Sequence, residues 1–180
     1  MKLIETPRLI LRDWTLNDAP DLFEYAKLPT VGPNAGWVPH KSIEESINII
    51  KKFIEQNDTW AIELKGENRI IGSIGLHRRT DLTGQYVNEL GYVLSTHYEG
   101  NGYMTEAANR IITFAFEELK VPLIKVYHFV GNAKSERVIQ KCGFIYDQHL
   151  VYKTVATGDR PSKSYHLTKK EYEIQRGMKK

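Results

Sequence analysis

Two glycines one residue apart, Gly100 and Gly102, separate an apolar segment ending in Tyr92, Val93 and Leu94 from a long amphipathic one opening with Tyr103, Met104 and Thr105. Glycine lets the backbone turn tightly and brings N–H groups close to a ligand. The mouth of a helix adds unpaired N–H donors and a partial positive charge. Together these make a seat for a phosphate group. A plain turn followed by a helix cap is the competing reading of the same residues. The dinucleotide and P-loop patterns fit poorly, because there is no third spaced glycine and no Gly-Lys-Ser/Thr ending.

Other chemistry-bearing side chains are sparser. Asn132 opens a short helical pattern and suits an N-cap, and Ser135, three positions on, reads on residue type alone as an exposed hydroxyl. Cys142 is the one cysteine, so no internal disulfide can form. Its place in an apolar helical pattern favours a small core residue over a nucleophile. His77, His97, His128, His149 and His166 are scattered and read as structural, and no Cys/His cluster has zinc-ligand spacing, so no metal is expected.

The elements that must position these residues follow from periodicity. Residues 8–14 read as a strand with Leu9 and Leu11 on one face. Asn17-Asp18-Ala19-Pro20 opens a helix with Leu22, Phe23 and Ala26 as its apolar stripe. Residues 28–41, with Pro29, Gly32, Pro33, Gly36 and Pro39, read as a loop. Ser42 and Glu45 form a capping box before a helix carrying Ile43, Ile47, Ile50 and Ile54. Residues 59–64 and 69–76 read as a hairpin about Gly66 and Asn68, and 87–94 as a third strand reached through a loop at 80–86.

Residues 102–119 give the strongest helical pattern, with Met104, Ala107, Ala108, Ile111, Ile112, Ala115 and Leu119 on one face. Residues 124–130 read as an apolar strand, and 133–142 as a helix ended by Gly143. Residues 144–152 and 164–167 are the last strands, joined through 158–161, and a tail helix follows Thr168. The order implies a mixed α/β layer with helices packed on a twisted sheet.

Composition bounds the rest. A chain of 180 residues suits one domain, here 1–180, with room for a sizeable core. No apolar run approaches the ~20 residues of a membrane span, and residues 1–12 lack a signal-peptide core, so a cytoplasmic protein is expected. Net charge is +3, and the tail basic residues Lys169, Lys170, Arg176, Lys179 and Lys180 read as a solvated terminus. No direct nucleic-acid binding is expected.

Residues 99–107, Glu-Gly-Asn-Gly-Tyr-Met-Thr-Glu-Ala, resemble the acetyl-CoA pyrophosphate loop of the GNAT superfamily of N-acetyltransferases. The resemblance extends to the branch containing the ribosomal-protein N-terminal acetyltransferases. Thr6-Pro-Arg-Leu-Ile-Leu-Arg12 is similar to that branch's first strand and Asn88-Glu-Leu-Gly-Tyr-Val93 to its central strand. Asn132-Ala-Lys-Ser135 followed by Lys141-Cys-Gly-Phe144 is similar to its second cofactor motif.

The resemblance implies a sheet of about six or seven strands with helices on both faces and a splayed central strand pair. It implies acetyl-CoA as cosubstrate and an amine acceptor, either a protein α-amine or a small molecule. It also implies that Tyr92, Val93 and Leu94 offer backbone groups to the pantetheine and thioester. Gly100, Asn101, Gly102, Tyr103, Met104 and Thr105 would hold the pyrophosphate, Asn132 the pantetheine arm, and Ser135 would lie near the sulfur. Family members are often dimers, so a homodimer is an expectation.

Direct attack of an amine on a thioester passes through a tetrahedral oxyanion. The nitrogen must lose a proton and the thiolate gain one. Glu89 is the candidate base. It shares a strand face with Gly91 and Val93, ~13 Å from a thioester at Val93, a distance suited to a water relay or amine recognition. A cross-strand charge pair is the alternative. Ser135 would donate to the thiolate. His97 stands where many members have Gln or Arg, and Ile139 where many have Tyr. Trp37 and His40, in the 28–41 loop, are candidate acceptor contacts, with residues 84–86 and 154–163 as the opposite wall. A catalytically silent acyl-CoA-binding module and a plain nucleotide-binding domain are the rival functions.

Overall fold

The computed structural model describes residues 1–81, 84–154 and 156–177. Residues 82, 83 and 155, within the expected 80–86 loop and 154–163 wall, and the tail residues Lys179 and Lys180 lie outside the described residues.

Eight strands form one sheet: β1 (Ile4–Glu5), β2 (Leu9–Arg12), β3 (Thr59–Leu64), β4 (Arg69–Thr80), β5 (Tyr86–Leu94), β6 (Leu123–Phe129), β7 (Ile145–Thr154) and β8 (Gly158–Thr168). Their order is β1-β2-β3-β4-β5-β6-β8-β7. The helices are α1 (Ala19–Ala26), α2 (Gly32–Ala35), α3 (Ile43–Gln56), α4 (Tyr103–Glu117), α5 (Ala133–Lys141) and α6 (Lys169–Gly177). The mixed α/β architecture is as expected, with one strand more than the upper expectation. The two-residue β1, too short for a periodic signal, pairs Ile4 with Leu11 at the sheet edge.

Strand alternation sends side chains to two cores. On one face Leu9, Leu11, Ile62, Ile74 and Leu90 meet Met104, Ile111 and Ala115 of α4 and Ile139 of α5. On the other, Ala61 and Ile70 meet Leu22, Tyr25 and Ala26 of α1 and Ile50 of α3, with Val93 packed alongside. The expected α4 stripe is buried apart from Leu119, which lies beyond the helix end and is exposed. Ile111 is fully buried. Truncation to Ala would cost about 2–5 kcal/mol through lost contact and the cavity left behind.

Local expectations shift: β4 runs on to Thr80, and residues 158–161, expected as a connector, begin β8. Tyr25, rather than Phe23, is the aromatic residue buried on α1. In α3 Ile43 and Ile54 are exposed and Ser46 and Ile50 are buried, because the helix touches the sheet along a narrower stripe than its isoleucines mark. The 28–41 loop contains the one-turn α2, closed at Gly36 in the left-handed region.

Among the described residues seven β-pairings hold the sheet, and only β5–β6 is parallel. It covers Asn88–Leu90 against Ile124–Val126 and then stops. Beyond that point β5 remains paired with β4 as far as Leu94 and β6 with β8 as far as Phe129. The central pair therefore splays, leaving one main-chain edge of Gly91–Leu94 without a strand partner.

Candidate active site

A cavity of about 1120 Å³ runs along this splay, from the mouth of α4 to the 28–41 loop. One end begins at the exposed Gly100 and Gly102, whose φ values of 81° and 79° lie in the left-handed region that favours glycine. A Cβ at Gly100 would meet nothing within 4 Å, and one at Gly102 only the tip of Arg8 at 3.6 Å. Backbone conformation and open space, rather than packing, therefore set these two positions.

Gly102 is the N-cap of α4 and supplies no side-chain cap. The amides of Tyr103, Met104 and Thr105 in the first turn have no acceptor within the helix. Arg8 braces this corner. It donates to the Asn101 carbonyl at 2.9 Å, stacks over Tyr103 at 4.5 Å and pairs with Glu106 at 2.7 Å. Burial pushes the Glu106 carboxyl up, but hydrogen bonds from Thr6 and Arg8 outweigh it and hold it below the usual range.

Tyr92, Val93, Leu94, Gly100, Gly102, Tyr103, Met104, Thr105, Asn132, Ser135, Glu89, Trp37 and His40 all line the cavity. Asn101 does not. Its side-chain amide turns back onto the carbonyls of Tyr98 and Glu99 at 3.2 Å each. His97 is exposed and borders a separate small recess with Asp21, Glu24 and Arg69. Ile139 is buried in the core, where it offers no hydroxyl.

Asn132 fills the N-cap role, accepting from the Ser135 amide at 3.1 Å, and among the described residues its NH2 group meets no acceptor. Ser135 Oγ lies 2.9 Å from the Tyr92 hydroxyl, which also donates to the Ser135 carbonyl at 3.2 Å. Burial raises the Tyr92 phenol well above its ordinary value, so it stays protonated. Sequence reading took Tyr92 for its backbone and missed this hydroxyl. Alternation along β5 places its ring on the α5 side, but not its partner.

Glu89 Oε1 accepts from the Tyr152 hydroxyl at 2.8 Å. Tyr152 lies 5.3 Å from Tyr127 and 6.4 Å from Phe129, ring to ring. Burial first, then Glu89, pushes the Tyr127 phenol up to about 12. Trp37 and His40 are 5.2 Å apart, and His40 Nδ1 meets Ser46 Oγ at 2.8 Å. Burial holds the His40 imidazole below its ordinary value. The loop reaches the β7–β8 hairpin at Gly36, where a Cβ would lie 3.1 Å from Thr154 and 3.3 Å from Phe129.

Cys142 is buried and its thiol is pushed up to about 12 by burial, in keeping with an inert core residue. His128 contacts the Phe129 carbonyl and Tyr165, His149 contacts Tyr146, and His166 lies near Glu171. His77 differs from these. It lines the cavity with Nδ1 at 2.7 Å from Asp58 Oδ2, a pairing that sequence reasoning missed.

A family model described as "Acetyltransferase (GNAT) domain" matches residues 8–145. A Bacillus subtilis protein named "Uncharacterized N-acetyltransferase YoaA" is 29% identical over 147 residues, covering 79% of this chain and 82% of its own length. The solved acetyltransferase (GNAT family) from Bacillus anthracis superposes with a TM-score of 0.83 at 23% identity, over 94% of this chain and 99% of that one. Spermidine N-acetyltransferase from Vibrio cholerae, solved with CoA and spermine, gives 0.75 at 20% identity, over 93% and 99%.

Proposed function

This chain belongs to the GNAT family of acetyltransferases, and on that premise we propose that it moves an acetyl group from acetyl-CoA to a primary amine by direct attack, both substrates being bound together. One observation carries the reading. The unpaired edge of Gly91–Leu94 and the open corner at Gly100–Thr105 border the same cavity. A long ligand with an anionic end and a hydrogen-bonding arm fits that pairing. That a Vibrio cholerae acetyltransferase of the same fold was solved with CoA supports a ligand of this kind.

Acetyl-CoA supplies the acyl thioester. The amides of Tyr103, Met104 and Thr105, with the Thr105 hydroxyl, hold its diphosphate. The Asn132 NH2 group and the free edge of Tyr92, Val93 and Leu94 take the pantetheine arm. Ser135, hydrogen-bonded to Tyr92, returns a proton to the sulfur. At the other end Glu89 is a fixed anion among aromatic faces, suited to receive the amine as its ammonium.

Trp37 and His40 roof that end. His40, kept neutral by its surroundings, repels no incoming cation. The test is thiol release from acetyl-CoA with a panel of primary amines, followed by product mass. Release matched by one added acetyl group on one amine is expected. Binding of acetyl-CoA without release by any amine would instead favour a silent acyl-CoA-binding module.

A further inference from the structure

We propose that His77, oriented by Asp58, is the catalytic base that takes the proton from the attacking amine; this rests on the acetyl-transfer reading. Gly75 of β4 and Gly91 of β5 are direct register partners. The His77 ring lies across them. A Cβ at Gly75 would fall 2.5 Å from its Cε1 and Nε2, and one at Gly91 3.3 Å from Nε2. Two adjacent glycines thus leave the floor on which the imidazole lies, and no other residue type fits at Gly75 without displacing it.

The second constraint is the Asp58 carboxylate, 2.7 Å from Nδ1. An ionised carboxylate only accepts hydrogen bonds, so in the neutral ring Nδ1 carries the hydrogen and Nε2 presents a lone pair. Among the described residues, no hydrogen-bond partner meets Nε2. Nε2 sits beside Gly91, about 7 Å along the strand from Val93, half the reach demanded of Glu89.

Glu89 is moreover tied to Tyr152. The two groups therefore divide the work: Glu89 anchors the ammonium and His77 removes the proton. Asp58, ahead of β3, holds the His77 ring, Glu89 is its register partner on β5 and Arg79 lies two residues along β4, while Tyr152 of β7, His40 of the 28–41 loop and Glu45 of α3 are titratable groups of the same cavity wall.

The balance is as follows. The ammonium first loses one proton to water. As nitrogen bonds to the acetyl carbon, its second proton passes to Nε2, giving an imidazolium held by Asp58. The C–S bond breaks with its electron pair on sulfur, which takes a proton from the Ser135–Tyr92 hydroxyl pair. Solvent refills that pair and accepts the proton from His77, so each turnover releases one proton.

Nitrogen-15 NMR of the unliganded protein should show His77 as the Nδ1–H tautomer, and Asp58→Asn should move it toward Nε2–H. His77→Gln should lower kcat by at least about a hundredfold with acetyl-CoA affinity by calorimetry unchanged. Added imidazole should restore part of the activity of His77→Ala. Full turnover by His77→Gln, or an Nε2–H tautomer in the parent, would overturn the assignment while leaving acetyl transfer intact. A parent protein that neither binds acetyl-CoA nor releases its thiol would instead overturn the acetyl-transfer reading itself.

Discussion

The Tyr152 hydroxyl donates to Glu89 Oε1 at 2.8 Å, joining β7 to β5 across 63 residues of chain. The bond holds the Glu89 carboxylate among Tyr127, Tyr152 and Phe129. Glu89→Gln keeps the shape and removes the charge. We expect the acceptor KM to rise about tenfold or more, the equivalent of ~1.4 kcal/mol of lost attraction, with turnover reduced and acetyl-CoA affinity unchanged. Tyr152→Phe should move the same constants less. Steady-state kinetics at varied amine checks both, and parental constants in Glu89→Gln would refute the anchor.

The Tyr92–Ser135 pair should act as a unit. Tyr92→Phe and Ser135→Ala each remove one hydroxyl of a 2.9 Å contact. If they share the transfer of one proton to sulfur, the double variant should be about as slow as the slower single one. Multiplicative losses in a double-mutant cycle on kcat would separate them.

Gly102 offers a test of the diphosphate corner. A valine there must adopt φ near 79° and would cost about 1–3 kcal/mol in backbone strain. Its side chain would also stand in the open space before the α4 amides. We expect acetyl-CoA binding to fall below calorimetric detection while circular dichroism still reports a folded protein. Parental affinity would disprove the corner's role.

Stability should depend on Asp18 in acid. Arg12 grips its carboxylate with two bonds, 2.9 and 2.8 Å, and Thr15 adds its amide at 2.8 Å. Burial raises the carboxyl, but Arg12 and Thr15 outweigh burial and lower it overall. A lowered folded value means stability present above the unfolded value of about 4 and lost as pH falls through the folded one. Asp18→Asn should cost about 1–2 kcal/mol at neutral pH, since Arg12 loses one of its two carboxylate partners and keeps Glu63. The loss should shrink below pH 4. Urea melts at pH 7 and pH 3 measure this, and an equal loss at both would contradict it.

Much of the frame was legible because its signals are local. The α4 stripe, the Ser42 cap accepting from Glu45 and the hairpin turned at Gly66 and Asn68 each depend on neighbours a few residues apart. The glycine corner was legible for the same reason. The proton-handling groups were not. His77 and Asp58 stand 19 residues apart, Tyr92 and Ser135 43 apart. Alternation tells which face a side chain takes but not where its ring comes to rest. The pairing of Gly75 with Gly91, which lays His77 flat, depends on strand register. Ile43 and Ile54 show the converse: helical spacing marked them apolar, yet tertiary contact passed them by.

A crystal structure of the protein grown with CoA tests the central claim most directly. The account predicts the diphosphate within hydrogen-bond distance of the Tyr103, Met104 and Thr105 amides, with the pantetheine along the unpaired edge of Gly91–Leu94. CoA bound elsewhere, or β5 and β6 closed together throughout their length, would contradict it.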